Sequence, residues 1–246
     1  MQKKVYFIAD AHLGATCVPN SKEKERRLVA WLDSVKESAS AIYMLGDMFD
    51  FWFEYEYVVP SGFTRFLGKL SELADAGVEL HFFTGNHDIW TFGYLEKEVG
   101  MKVHRKEEIV EIMGRKFFLA HGDGLGDPSL RFKFLRAFFH NYVCQRLFAM
   151  LHPYIAMSVG LLWSGKSRKK KENRFSRYLG EEKEHLVQFV KKYDGPAADY
   201  FIFGHRHILL DETFGGRRML ILGDWISLCS YAEFDGETLA LKQAAE

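Results

Sequence analysis

Five short apolar runs in this chain each lead directly into a cluster of Asp, Asn or His. VYFIA runs into Asp10-Ala11-His12, and AIYML into Gly46-Asp47-Met48-Phe49-Asp50. ELHFF precedes Gly85-Asn86-His87-Asp88, KFFLA precedes His121-Gly122-Asp123, and YFIF precedes Gly204-His205-Arg206-His207. Runs of this length, rich in β-branched and aromatic residues, read as buried strands. Strands that end this way can carry their polar residues to one edge of a sheet. The donor set of carboxylate, amide and imidazole suits hard or borderline divalent metals. Taken singly, each motif reads as a turn or capping residue. Five in succession at strand ends point instead to a metallohydrolase with two metal ions.

The intervals between the motifs set the fold class. Residues 21–37 carry Leu28, Trp31, Leu32 and Val35 at helical spacing, and 62–76 carry Phe63, Phe66, Leu67, Leu70 and Leu73 before Gly77. With strands at 5–9, 41–45 and 79–84, the order is strand–helix–strand–helix–strand, an α/β sheet with helical crossovers. A short helix at 95–99 and a hairpin of 108–113 with 116–120 follow. Strand signals return at 199–203, 207–214, 217–222, 226–234 and 238–242, with turns at Gly215-Gly216 and Asp235-Gly236. Between the fourth and fifth motifs, 130–163 predicts two or more helices broken at His152-Pro153, 166–171 a polar connector, and 172–193 a further helix. The expectation is one domain over 1–246 with a helical insertion at about 128–180.

Composition adds limits. The apolar fraction is 48% and the charged fraction 27%, enough for a buried core without disulfides. Cys17, Cys144 and Cys229 are widely spaced and lie in none of the motifs, which reads as a reduced, cytosolic setting. The N-terminal apolar run is too short for a signal peptide, and no run approaches the ~20 residues of a spanning helix. The formal net charge is zero, but residues 128–171 contain no Asp or Glu. The same stretch holds Arg131, Lys133, Arg136, Arg146, Lys166, Arg168, Lys169, Lys170 and Lys171. Such a local field points to an anionic partner.

Seven side chains are candidate ligands: Asp10, His12, Asp47, Asn86, His121, His205 and His207. The pairs Asp10/His12 and His205/His207 are two apart, so in extended chain each pair shares a face. One ion cannot use seven protein ligands and still hold substrate; two ions ~3.5–4 Å apart can.

The ordered set DxH, GDxxD, GNHD, HGD and GHxH, from residue 10 to residue 207, resembles the calcineurin-like metallophosphoesterase superfamily. The resemblance implies a four-layer α/β/β/α sandwich with the metals at strand C-termini. It implies that Asp10, His12 and His207 hold one ion, that Asn86, His121 and His205 hold the other, and that Asp47 bridges them. A hydroxide between the ions would attack phosphorus. His87, catalytic together with Asp47 and Asn86, would donate a hydrogen bond or proton to the phosphate or leaving group, and Asp50 and Asp88 would orient ligands or serve the fold.

Within the superfamily, the extended motif Gly46-Asp47-Met48-Phe49-Asp50-Phe51-Trp52, the chain length and the insertion after His121-Gly122-Asp123 are similar to the UDP-2,3-diacylglucosamine hydrolase family of lipid A synthesis. That resemblance implies Mn²⁺, a lipid-linked nucleotide sugar as substrate, products UMP and 2,3-diacylglucosamine 1-phosphate, and peripheral contact with the cytoplasmic face of the inner membrane. Many members carry Arg after the metal-binding Asn, where this chain has His87. Aromatic residues between basic ones in 132–163 suit acyl chains beside phosphates, and Asp127, Ser164, Lys166 and Ser167 are the candidate substrate contacts. A phosphodiesterase acting on nucleotides or nucleic acid is the alternative enzyme, with binding that weakens steeply with salt. A non-catalytic scaffold on the same fold would require replaced ligands, and all seven are present.

Overall fold

The computed structural model describes residues 3–16, 20–175 and 177–244, and for 131, 132 and 166–175 the backbone alone. Strands β1 (Lys4–Ile8), β2 (Ala39–Leu45) and β3 (Glu79–Phe83) are parallel neighbours, connected through α1 (Ser21–Val35) and α2 (Thr64–Asp75). After α3 (Tyr94–Glu98), the three-residue β4 (Lys102–His104) joins β3 in parallel. Strands β10 (Ser230–Phe234) and β11 (Leu239–Gln243) complete this sheet on the β1 side, giving the order β11-β10-β1-β2-β3-β4. A second sheet contains β5 (Glu108–Ile112), β6 (Arg115–Ala120), β7 (Tyr200–Phe203), β8 (Leu209–Phe214) and β9 (Arg217–Leu222) in the order β5-β6-β7-β9-β8.

Strict alternation along the strands builds the layers. In β1, Tyr6 and Ile8 pack with Leu28, Trp31 and Leu32 of α1, while Val5 and Phe7 turn to the other face. There they meet Phe117 and Leu119 of β6 and Leu220 and Leu222 of β9. The opposite face of the second sheet presents Phe118, Phe201, Phe203 and Ile221 to Leu186, Val187 and Val190 of α7 (His185–Lys192). The result is helices, sheet, sheet and helix, the four-layer α/β/β/α arrangement expected.

The insertion consists of α4 (Leu130–His140), α5 (Tyr142–Ala149) and α6 (Pro153–Phe175). Asn141 caps α5 by accepting the N–H of Cys144 at 3.1 Å. Pro153 opens α6, where its missing N–H costs no helical bond. Three sequence expectations change here. Residues 166–171 are not a connector but the continuation of α6; lysine and arginine are good helix formers, and polarity alone does not end a helix. The expected helix over 172–193 is divided, because α6 stops at Phe175 and α7 begins only at His185, with Gly180 at φ +89° between them. Strand β10 starts at Ser230 rather than 226, because Asp224 draws the N–H groups of Ile226, Ser227 and Leu228 into a turn. Cys144 and Cys229 are unbridged, and Cys17 lies outside the described residues.

Candidate metal centre

Each motif sits where a strand ends and the chain turns sharply. Asp10, His12, Asp47, His205 and His207 all have positive φ, from 43° to 67°, a region in which Asp and His are tolerated better than most residues but which still costs about 1–3 kcal/mol each. The motif glycines allow the loops to touch. A Cβ on Gly85 would stand 2.2 Å from Asp47 Oδ1, and one on Gly46 would stand 2.7 Å from the Gly85 backbone and from His121 Nδ1. Asp88 fastens these two loops together, accepting the N–H groups of Asp47, Met48, Phe49 and Gly85 at 2.7–3.3 Å. Its buried carboxyl is pushed up to about 7, by burial and by the neighbouring Asp47 charge. Asp88 is thus a clamp on the loops that carry Asp47 and Asn86.

The side chains converge in two groups. In the first, His12 Nε2 and His207 Nε2 are 3.3 Å apart, and Asp10 Oδ1 lies 3.6 Å and 3.4 Å from them respectively. In the second, His121 Nε2 is 3.3 Å from His205 Nδ1 and 3.4 Å from Asp47 Oδ2. The same Asp47 oxygen is 3.7 Å from His12 Nε2, so this carboxylate faces both groups. Donor atoms about 2.1 Å from one ion at tetrahedral angles lie about 3.4 Å apart, which is the spacing seen. Buried Asp10 Oδ1 and Asn86 Oδ1 accept no hydrogen bond. The residues therefore fit two divalent cations.

The ring tautomers agree with that fit. The Leu45 carbonyl accepts from His121 Nδ1 at 2.8 Å, which leaves Nε2, on the Asp47 side, as the nitrogen open to an ion or to a second proton. Asp50 Oδ1 lies 3.6 Å from His12 Nδ1, and Asp224 Oδ2 lies 3.4 Å from His207 Nδ1. Burial would raise the Asp47 carboxyl, but His121, His87 and His12 override it and hold it well below the usual range. Burial would lower His121, but Asp47, Asp10 and Asp123 hold it well above the usual imidazole range. The two shifts are reciprocal, since the Asp47 carboxylate and the His121 ring each favour the charged form of the other.

His87 flanks this cluster. Its backbone N–H donates to Asp47 Oδ1 at 2.8 Å, its Nε2 stands 3.9 Å from Asp47 Oδ2, and its ring meets His12 edge-on at 4.9 Å. Burial lowers its pKa, against the opposing pull of Asp47. Beside it opens a cavity of ≈510 Å³ whose lining includes Asn86, His87 and His205 together with Phe51, Trp90, Phe139, Phe148, Val159 and Trp163. The cavity joins the strand-end loops to all three helices of the insertion.

A model of the calcineurin-like phosphoesterase family matches residues 3–209. The chain belongs to that family. This phosphoesterase is 45% identical over 256 residues to the UDP-2,3-diacylglucosamine hydrolase of Porphyromonas gingivalis (strain ATCC BAA-308 / W83), covering 98% of each chain. It is 26% identical over 225 residues to the enzyme of that name from Haemophilus ducreyi, covering 89% of this chain and 91% of the relative. A Vibrio cholerae enzyme of the same name is 25% identical over 244 residues, covering 95% of each. The phosphoesterase is a metal-dependent hydrolase, and its His and Asp groups are the candidate holders of divalent ions.

The expected substrate contacts fall differently. Ser164 of α6 is buried, lines the cavity and lies 3.1 Å from His87 Nδ1. Asp127 is outside the cavity lining and accepts the N–H of Ser129 at 2.8 Å, a local turn. The side chains of Lys166 and Ser167 lie outside the described residues. One residue beside a candidate ligand escaped the sequence reading. Asp224 is buried, held near a pKa of about 2 against its own burial by His207 and by N–H groups of the turn, and it orients a candidate ligand. Its signal was present: LILGDW is a sixth apolar run ending in Gly-Asp.

Proposed function

We propose that this phosphoesterase hydrolyses the pyrophosphate of UDP-2,3-diacylglucosamine to UMP and 2,3-diacylglucosamine 1-phosphate, with two Mn²⁺ ions as cofactor. One observation carries the reading: an apolar cavity of ≈510 Å³ whose lining also contains Asn86, His87 and His205. A diacylated nucleotide sugar needs that juxtaposition, since its acyl chains and its phosphates are neighbours. The resemblance to hydrolases of that name over nearly the whole chain supports it.

In this reading Asp10, His12 and His207 hold one ion, Asn86, His121 and His205 the other, and Asp47 both. When bound, such ions lower the pKa of a water for attack at phosphorus and neutralise charge on the phosphoryl oxygens. The protein's own contribution is to fix each imidazole lone pair, to place His87 Nε2 beside Asp47 for proton donation to the leaving oxygen, and to exclude water with the aromatic wall of the cavity. Ser164 is the substrate-contact candidate that the cavity supports.

The insertion also supports contact with a membrane surface. Leu130, Phe134, Tyr142, Met150, Tyr154 and Leu162 are 66–81% exposed, alongside exposed Lys133 and Arg146 and with no acidic residue in 128–171. Apolar side chains among cations suit an anionic leaflet. Among the described residues no helix is long and apolar enough to cross a membrane, so the proposed association is peripheral, on the cytoplasmic face of the inner membrane.

The test is direct. The purified protein with Mn²⁺ and UDP-2,3-diacylglucosamine should release UMP, and removal of the acyl chains should weaken substrate use. No UMP from the intact substrate would sink the assignment.

A further inference from the structure

Helix α6 approaches the ligand loops at two points one turn apart. At Gly160 a Cβ would stand 2.4 Å from Phe51 Cζ, so a side chain here would force the helix away. One turn later, Ser164 Oγ reaches His87 Nδ1 at 3.1 Å. The same Nδ1 is 2.8 Å from the carbonyl oxygen of Asp50, the residue before Phe51. A carbonyl can only accept, so Nδ1 carries the hydrogen, and the Ser164 oxygen shares it as a second acceptor. The His87 ring is therefore held at this one nitrogen by two elements, the ligand loop through Asp50 and the insertion through Ser164. Its other nitrogen is left 3.9 Å from Asp47 Oδ2 and donates a proton only from the doubly protonated ring.

We propose that Ser164 is a positioning residue for the proton donor. The insertion does more than receive a lipid: by docking Gly160 on Phe51 and Ser164 on His87, it sets the orientation of the ring that serves the leaving group. Rotation about Cβ–Cγ of a histidine is broad unless its nitrogens are fixed, and small misplacements of a catalytic group cost up to about 100-fold in rate. Turnover then depends on α6 even for a phosphodiester too small to enter the cavity. This inference rests on His87 as the donor in the proposed function.

The experiment uses the Mn²⁺-loaded full chain and two acyl-free substrates, bis(p-nitrophenyl) phosphate and methyl phenyl phosphate. The p-nitrophenolate leaves without a proton, whereas the more basic phenolate needs one. Ser164→Ala should lower kcat for the phenyl ester about 10-fold, with KM unchanged and a much smaller effect on the p-nitrophenyl ester. Ser164→Thr, which keeps the hydroxyl, should restore the rate, and Ser164→Ala should add nothing in a His87→Gln background. Nitrogen-15 spectra of histidine-labelled protein give a readout apart from turnover: the His87 Nδ1 proton should exchange with solvent faster in Ser164→Ala. Equal losses on both esters, an additive loss on His87→Gln, or unchanged exchange would overturn the inference. If His87→Gln itself spares the phenyl ester, the donor role fails and this inference falls with it, whereas a slow His87→Gln beside a normal Ser164→Ala rejects the inference alone.

Discussion

At the sheet edge, Asp10, His12, Asp47 and His121 are all at most 4% exposed, and loops that Gly46 and Gly85 bring into contact surround them. In the insertion the distribution is reversed. Phe134 and Met150 are 75% and 81% exposed, and among the described side chains of α4, α5 and α6 only Ala156, Gly160 and Ser164 are buried. One region hides charge, and the other displays apolar surface. Hiding carboxylates without a cation is costly, so the first region states its need for metal. Leaving six large apolar side chains in water forgoes about 1.5–3 kcal/mol apiece, which is why the proposed function gives the second an apolar partner. In that proposal each region is completed by something outside the chain.

The strongest challenge to this contrast is Asp47→Ala, which removes the carboxylate that faces both groups. Turnover should fall to background, and metal analysis should find both ions weakened; persistent activity would mean that the two groups do not share this side chain. Asp224→Asn comes next. It keeps shape but removes the charge beside His207, and titration calorimetry should show about 10–100-fold weaker metal binding. Unchanged affinity would make Asp224 a turn residue only.

On the other side of the comparison, replacing Phe134, Met150 and Leu162 together by Ser should lower binding to anionic vesicles about 10-fold or more in co-sedimentation. Because these side chains are already exposed, thermal stability should change by no more than ~0.5 kcal/mol each. A collapse of stability would show instead that they pack in the folded chain. The last test concerns a buried histidine remote from both regions. Burial, and then neighbouring His104, push His81 down to about 4 from an unfolded value near 6.5. Its folded pKa is depressed, so the stability that it preserves is complete above pH 6.5 and is lost as pH falls through the window to 4, where the unfolded chain takes up the proton first. His81→Phe, which can keep the stack on Tyr43 at 4.1 Å, should flatten the fall of Tm across that window. An identical slope in the variant would place the acid sensitivity elsewhere.

Much of the sheet edge was legible because its signals are local. Period-2 alternation assigns Val5 and Tyr6 to opposite faces, and the motif glycines mark where loops approach. Three features were not legible. Asp224 acts on His207 from the end of the neighbouring strand, and the Gly-Asp signal after that strand cannot by itself be told from a turn. The three residues of β4 are too few to show a period. The connector read at 166–171 was a charge pattern, and charge does not distinguish a solvated helix face from a loop. Nor could the letters tell whether the aromatic residues of 132–163 packed inward, because a helix that is apolar on several sides reads the same with or without a partner.

The sequence by itself determined the strand–helix alternation, the order of the ligand loops and the kind of ion they suit, because strand period, turn residues and donor chemistry are written residue by residue; the four layers were implied by the family resemblance. Only the tertiary structure decided that Asp47 faces both groups, that Asp224 stands behind His207, and that α6 places Ser164 on His87. Those contacts join residues 17 to 77 positions apart on different elements, and they close only when those elements have packed.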